Sequence, residues 1–113
     1  PRHGVYASST SGTNDNIQLL NNRIFDFFNA GTDNIGINIQ TGNNAWTISN
    51  NSIYQSANRN FSASNRSFSA ITINSSTGSF TISNNYIGGT SEALGGSAFT
   101  VFSGGTNGWS RLR

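Results

Sequence analysis

Apolar residues fall at every second position in short runs along this chain: Ile17 and Leu19, Ile37 and Ile39, Trp46 and Ile48, Ile71 and Ile73, Phe80 and Ile82. Alternation with period two predicts short β-strands that turn one face inward. No run shows the 3.6-residue spacing of a helix, and Ser, Thr and Asn fill the intervening positions. The runs ending at Leu19, Ile48 and Ile82 are each followed by an Asn-Asn doublet and then a single Ile. These are Asn21-Asn22 with Ile24, Asn50-Asn51 with Ile53, and Asn84-Asn85 with Ile87. TISNNSIY at 47–54 returns almost unchanged as TISNNYIG at 81–88, and QLLNNRIF at 18–25 is a fainter copy.

The doublets lie 29 and then 34 residues apart, while Ile39 to Trp46 and Ile73 to Phe80 both span seven. The five extra residues of the longer interval therefore fall between Ile53 and Ile71. One insertion explains the whole difference. Val5 with Ala7 fits the start of an earlier copy, and FTVFSGGTNGW at 99–109 fits a later, incomplete one. A β-sandwich gives no reason to repeat TISNN at equivalent positions. A period near 30 residues with two or three short strands predicts an all-β solenoid, in which each unit buries its apolar face only on its neighbours. The coils should stack Ile on Ile at about 4.8 Å per step.

Counting parity from Trp46 and Ile48 points Asn50 inward, and Asn21 and Asn84 with it. Buried amides need partners, and a ladder of Asn21, Asn50 and Asn84 from coil to coil would supply them. Asn22, Asn51 and Asn85 are then expected at the corner itself, in the left-handed conformation that Asn tolerates. A polar surface turn would account for one such pair, but poorly for three in register.

Asn-capped corners after an x-I-x-N-N-x-I strand, best seen in AWTISNNSIY and SFTISNNYIG, resemble the repeats of the pectate-lyase-like superfamily. The resemblance covers most of the chain and rests on a degenerate pattern. It implies a right-handed parallel β-helix (about three to four coils of roughly 29–34 residues, a single segment over 1–113). The superfamily includes polysaccharide lyases and hydrolases, phage tailspikes, and stalks or adhesins on bacterial surfaces. Its lyases use an acidic calcium cluster with a Lys or Arg base. Its pectin hydrolases use several Asp on one sheet with Gly-His-Gly and Arg-x-Lys motifs. Here the carboxylates are Asp15, Asp26, Asp33 and Glu92, Lys is absent, and the RHG at 2–4 lacks the preceding Gly. Glycoside hydrolysis needs two carboxylates within about 5–10 Å, and by the repeat alignment no pair shares a face. No catalytic residue, metal or cofactor is expected, and GTNDN (12–16) and GTDN (31–34) read as turns rather than calcium loops.

Composition narrows the classes further. Apolar residues make up 34%, below the roughly 45–50% of globular proteins, yet charge is only 9% and the net charge +2. That balance suits a thin strand-rich fold and argues against nucleic acid, since the basic residues (all Arg) are scattered. There is no Cys, and no apolar run approaches the length of a membrane span. Sequons at Asn50, Asn60, Asn65 and Asn74 are no more frequent than so much Asn, Ser and Thr gives by chance. The insertion brings Arg59, Phe61, Arg66 and Phe68 together as a candidate ligand-contact loop suited to sugars or acidic groups. The reading favoured over this is that the phenylalanines fold the loop back over the coil.

The function expected is a structural or adhesive extracellular segment (stalk, surface fibre or filament subunit) at a bacterial surface, not an enzyme. The alternative is a non-catalytic portion of a carbohydrate-binding or polysaccharide-degrading β-helix. Ice binding is a distant third, because the outward Thr47/Ser49 and Thr81/Ser83 array breaks at Gln18/Leu20. The chain begins at Pro1 and shows no end cap, so it is expected to continue into further coils or to stack on other copies. Carbohydrate is a further candidate partner. Arg111 falls where Ile48 and Ile82 stand in their copies, two residues after Trp109, and reads as a gatekeeper against further stacking.

Overall fold

The structure, a computed structural model, describes residues 1–76 and 78–102. Trp109 and Arg111 lie outside the described residues. The described chain is all-β apart from one 3-10 turn at Glu92–Leu94. It makes three similar passes. The first contains β1 (His3–Ala7), β2 (Asn14–Asp15), β3 (Gln18–Leu20) and β4 (Arg23–Phe25). The second repeats them as β5 (Asn34–Ile39), β6 (Asn43–Asn44), β7 (Thr47–Ser49) and β8 (Ser52–Tyr54). After β9 (Arg59–Asn60) comes the third pass, with β10 (Phe68–Ile73), β11 (Thr81–Ser83) and β12 (Tyr86–Ile87), and β13 (Val101–Phe102) follows.

The strands gather in separate short sheets, and every pairing is parallel. Three sheets have three strands each, in the orders β1-β5-β10, β3-β7-β11 and β4-β8-β12; β2 pairs with β6, and β9 with β13. In each three-stranded sheet the second pass lies between the first and the third. The register follows the repeat residue by residue. Leu19 pairs with Ile48 and Ile48 with Ile82; Ile24 pairs with Ile53 and Ile53 with Ile87. Val5 and Ala7 pair with Ile37 and Ile39, which pair in turn with Ile71 and Ile73.

Burial grades across these columns. Ile37, Ile39 and Ile48 are fully buried, and Ile53 is 1% exposed. In the third pass Ile82 and Ile87 remain 49% and 44% exposed, because each has a neighbour on one side only among the described residues. A fully buried Ile contributes about 1.5–3 kcal/mol, so the middle pass carries most of the apolar stabilisation.

Residues 55–67 fold back rather than project. Phe61 and Phe68 are 2% and 3% exposed and belong to the core; Phe68 stacks on Phe27 at 5.2 Å and Phe61 packs tilted on Phe28 at the same distance. Ser62 N–H also donates to the Ala30 carbonyl. The two phenylalanines of the candidate contact loop are therefore interior. The loop is long enough to return them to apolar neighbours, and burying aromatic area outweighs leaving it wet.

The close approach of passes is seen at Gly36, on the central strand β5. A Cβ on Gly36 would stand 2.6 Å from the Ala70 carbonyl oxygen and 2.8 Å from Ile53 Cγ2. Gly36→Val should therefore lower stability by about 1–3 kcal/mol through overpacking. Gly31→Ala is the control, since its Cβ would meet only ordinary contacts, the nearest Asn29 Oδ1 at 3.6 Å. Urea midpoints compare the two; an unchanged midpoint for Gly36→Val would refute the tight packing.

Candidate functional site

Each Asn-Asn doublet makes a corner between two strands. Asn21, Asn50 and Asn84 all have φ between 55° and 57°, in the left-handed region, and all three are exposed. Their neighbours form the ladder. Asn22 donates from both its backbone N–H and its side-chain amide to Asn51 Oδ1, at 2.9 and 3.0 Å. Asn51 donates in the same two ways to Asn85 Oδ1, at 3.0 and 2.9 Å. Asn51 Nδ2 also reaches the Leu19 carbonyl, and Asn85 Nδ2 reaches that of Ile48, both at 2.8 Å. Asn51 is completely buried. Every bond it makes goes to another pass.

The two residues of each doublet thus exchange the roles that parity assigned them. Asn21, Asn50 and Asn84 are the corner; Asn22, Asn51 and Asn85 are the ladder. Parity counting assumes an extended chain throughout. A left-handed residue reverses the direction of the backbone by itself, so the residue after it, not the turning residue, faces inward.

Sequence reading missed a second column. Asn14 Nδ2 donates to Asn43 Oδ1 at 3.1 Å, and the fully buried Asn43 caps the carbonyls of Ala7, Gln40 and Thr41. Next to it, Asn16 and Ala45 repeat the left-handed geometry in register. The signal was available: Asn14 and Asn43 are 29 residues apart, the same step as Asn22 to Asn51. Asn34 was also missed; it is fully buried and closes the 29–34 turn by accepting from Asn29 N–H and donating to the carbonyls of Asn29 and Thr32.

All four carboxylates are engaged between passes or across to the 3-10 turn. Asp15 accepts from Asn44 Nδ2, Asp33 from Ser67 N–H, and Glu92 pairs with Arg23 at 3.2 Å on the surface. Asp26 is the centre of a denser cluster. It accepts from Ser56 N–H, the Ser56 hydroxyl and Arg59, whose guanidinium also donates to the buried Gln55 and lies 5.8 Å over the Phe28 ring. Burial alone would push the Asp26 carboxyl upward. The Ser56 bonds and the Arg59 charge outweigh it and hold the pKa below the ordinary value.

Of the candidate contact loop, Arg59 is thus occupied by Asp26, Phe61 and Phe68 lie in the core, and the Nε of Arg66 is buried without a hydrogen bond. The structure does not bring the four together as one exposed surface. Among the described residues no three His, Cys, Asp or Glu side chains form a group that could hold a metal, and no helix is long and apolar enough to cross a membrane. The arrangement joins passes of the chain to one another.

Asn51→Ala should lower stability by on the order of 1–3 kcal/mol, because it leaves buried donors and acceptors unpaired. Asn50→Gly should be nearly neutral, since Gly adopts the same left-handed geometry freely. Equal losses for both variants in denaturant titrations would sink the assignment of roles. The Asp26 cluster gives a pH dependence whose sign follows from a lowered folded-state pKa. Its contribution is present above the ordinary carboxylate pKa and is lost as pH falls through the folded value. Asp26→Asn should therefore flatten the acid limb of the stability–pH curve, and an unchanged limb would show that the cluster does not act through charge.

Comparison with protein-family models, with curated proteins and with solved structures finds no match for this chain.

Proposed function

We propose that the separate sheets are the faces of a right-handed parallel β-helix, and that the chain is a structural or adhesive segment of one: a stalk, surface fibre or filament subunit outside a bacterial cell. The observation that carries this reading is the Asn22–Asn51–Asn85 ladder, which runs through all three passes beside an unbroken Leu19–Ile48–Ile82 column. Repetition of one cross-section is what an elongated scaffold needs. The residues with the strongest polar chemistry are used to hold successive passes together, as at Asp26 and Arg59. Further passes of the same chain, or other copies, are its natural partners.

A second reading, a non-catalytic carbohydrate-binding part of a polysaccharide-degrading protein, is favoured by one feature. On the β4-β8-β12 sheet, Phe25 stacks on Tyr54 at 5.1 Å with planes 5° apart, and Phe25 remains 51% exposed. A flat exposed aromatic suits the apolar face of a sugar ring.

Immunogold labelling of thin-sectioned cells with an antibody to this chain should decorate surface fibres. Label confined to the cytoplasm would overturn the structural reading. Glycan-array binding that disappears in Phe25→Ala would favour the second one. No polysaccharide should be cleaved by the chain alone; turnover abolished by a single Asp or Glu substitution would contradict both readings.

A further inference from the structure

The third pass makes a detour that the second does not. Ile87 pairs with Ile53 and Val101 with Arg59, yet the third pass takes fourteen residues between those points where the second takes six. The extra residues form a loop closed on itself. The Gly95 carbonyl accepts from Thr90 N–H and Ser91 N–H, and Thr90 Oγ1 accepts from Ser97 N–H. This loop leans back over the outer face of the β4-β8-β12 sheet. Ala93 N–H donates to the Ser52 hydroxyl of the second pass at 3.0 Å, and Glu92 meets Arg23 of the first at 3.2 Å. Gly88 continues the Phe25–Tyr54 row into the third pass, and Leu94 Cδ2 lies 3.8 Å from where a Cβ on Gly88 would stand. Phe25 stacks on one side of Tyr54; on the other the sheet offers only a glycine, and Leu94 takes the vacant place. Tyr54 is 8% exposed although it faces outward.

The conformation of the loop contradicts its sequence. Gly95 N–H returns to the Glu92 carbonyl at 2.9 Å with Ala93 at φ 52° and Leu94 at φ 61°, so both central residues are left-handed. Turns of that hand favour Asn and Gly. Glu, Ala and Leu are instead strong formers of right-handed helix, and any residue with a Cβ is disfavoured in the left-handed form. What holds the turn to the sheet is slight. Among the described residues it amounts to the Ser52 hydrogen bond and an ion pair whose partners are 63% and 58% exposed, and Glu92–Leu94 contains no buried residue. Backbone strain of this kind persists only where its surroundings impose it, and it collects at clamps and switches.

We propose that residues 88–97 are a strap with two states. In the closed state Ala93 and Leu94 are left-handed and the turn is latched on Arg23 and Ser52. In the open state Glu92–Leu94 relaxes to the right-handed form, the latch parts, and Tyr54 is uncovered beside Phe25. Gly88 and Gly89, at φ 117° and 73°, supply the hinge where the strap leaves the sheet. The strap thereby sets how much of the aromatic row faces solvent. Neither reading of function above is needed for it, since it involves one sheet face and the loop across that face.

Nitration of tyrosine by tetranitromethane, located by peptide mass spectrometry, reads the opening in the whole chain. Tyr6, 58% exposed on β1 and away from the strap, is the internal reference. Ala93→Asn combined with Leu94→Gly suits the left-handed turn and should slow nitration of Tyr54 about tenfold relative to Tyr6. Glu92→Gln and Arg23→Gln break the latch and should each speed it about two- to fivefold. Sodium chloride at about 1 M should speed it by a similar factor in the wild type and leave Glu92→Gln unchanged. Ser52→Ala replaces either latch variant that fails to fold by circular dichroism. Urea midpoints should stay near that of the wild type throughout. Tyr54 rates that follow the urea midpoints would mean the ring is reached only by global unfolding, and would overturn the strap. Tyr54 rates equal in the wild type and every variant, or equal to those of Tyr6, would overturn it as well.

Discussion

A buried amide has two donor hydrogens and an acceptor oxygen, and away from water each must find a partner. Asn51, with no exposed surface, finds its partners only in other passes of the chain: Leu19 and Asn22 on one side, Asn85 on the other. The rest of the architecture depends on that requirement. A slip of one residue between passes would separate the amides and strand several polar groups together, at about 1–3 kcal/mol each. It would also move every Ile of the slipped strand to the opposite face. Apolar burial alone would tolerate some sliding of Ile over Ile; the amides remove that freedom.

Stability is distributed unevenly. The second pass contributes residues with neighbours on both sides, and its Ile and Asn side chains are the most completely buried. The first and third passes each cover it from one side and keep part of their own apolar surface exposed. Around this stack the polar links differ in kind. Asn22–Asn51–Asn85 is neutral and centred on the fully buried Asn51, whereas Arg23–Glu92 is exposed at both partners and contributes little in water. Asp26–Arg59 lies between them, partly shielded and supported by Ser56 and Gln55.

The columns were legible in the sequence because spacing survives folding. Leu19, Ile48 and Ile82 could be aligned from the doublets alone, and the structure pairs those same residues. Facing was less legible. Alternation gives the direction of side chains only while the chain stays extended, and a single left-handed residue at Asn50 resets the count. The inward packing of Phe61 and Phe68 was favoured, but their partners could not be named. Those partners, Phe27 and Phe28, sit just outside the repeated motif and give no periodic signal. Asp26 and Arg59 were each visible, but 33 residues apart and without a pattern joining them.

Residues 55–67 also bear on how the length of such a chain can vary. The interval from Asn22 to Asn51 is 29 residues and that from Asn51 to Asn85 is 34, yet both steps make the same pair of amide bonds at nearly the same distances. The amide links between paired passes are therefore independent of how many residues separate them. An insertion between Gln55 and Ser67 lengthens a loop and leaves the strand register alone, whereas deletion of one residue within Thr47–Ser49 would displace everything beyond it. Gains and losses of sequence should accumulate in the first place and be purged from the second, so related chains would differ in loop length while keeping the same paired columns.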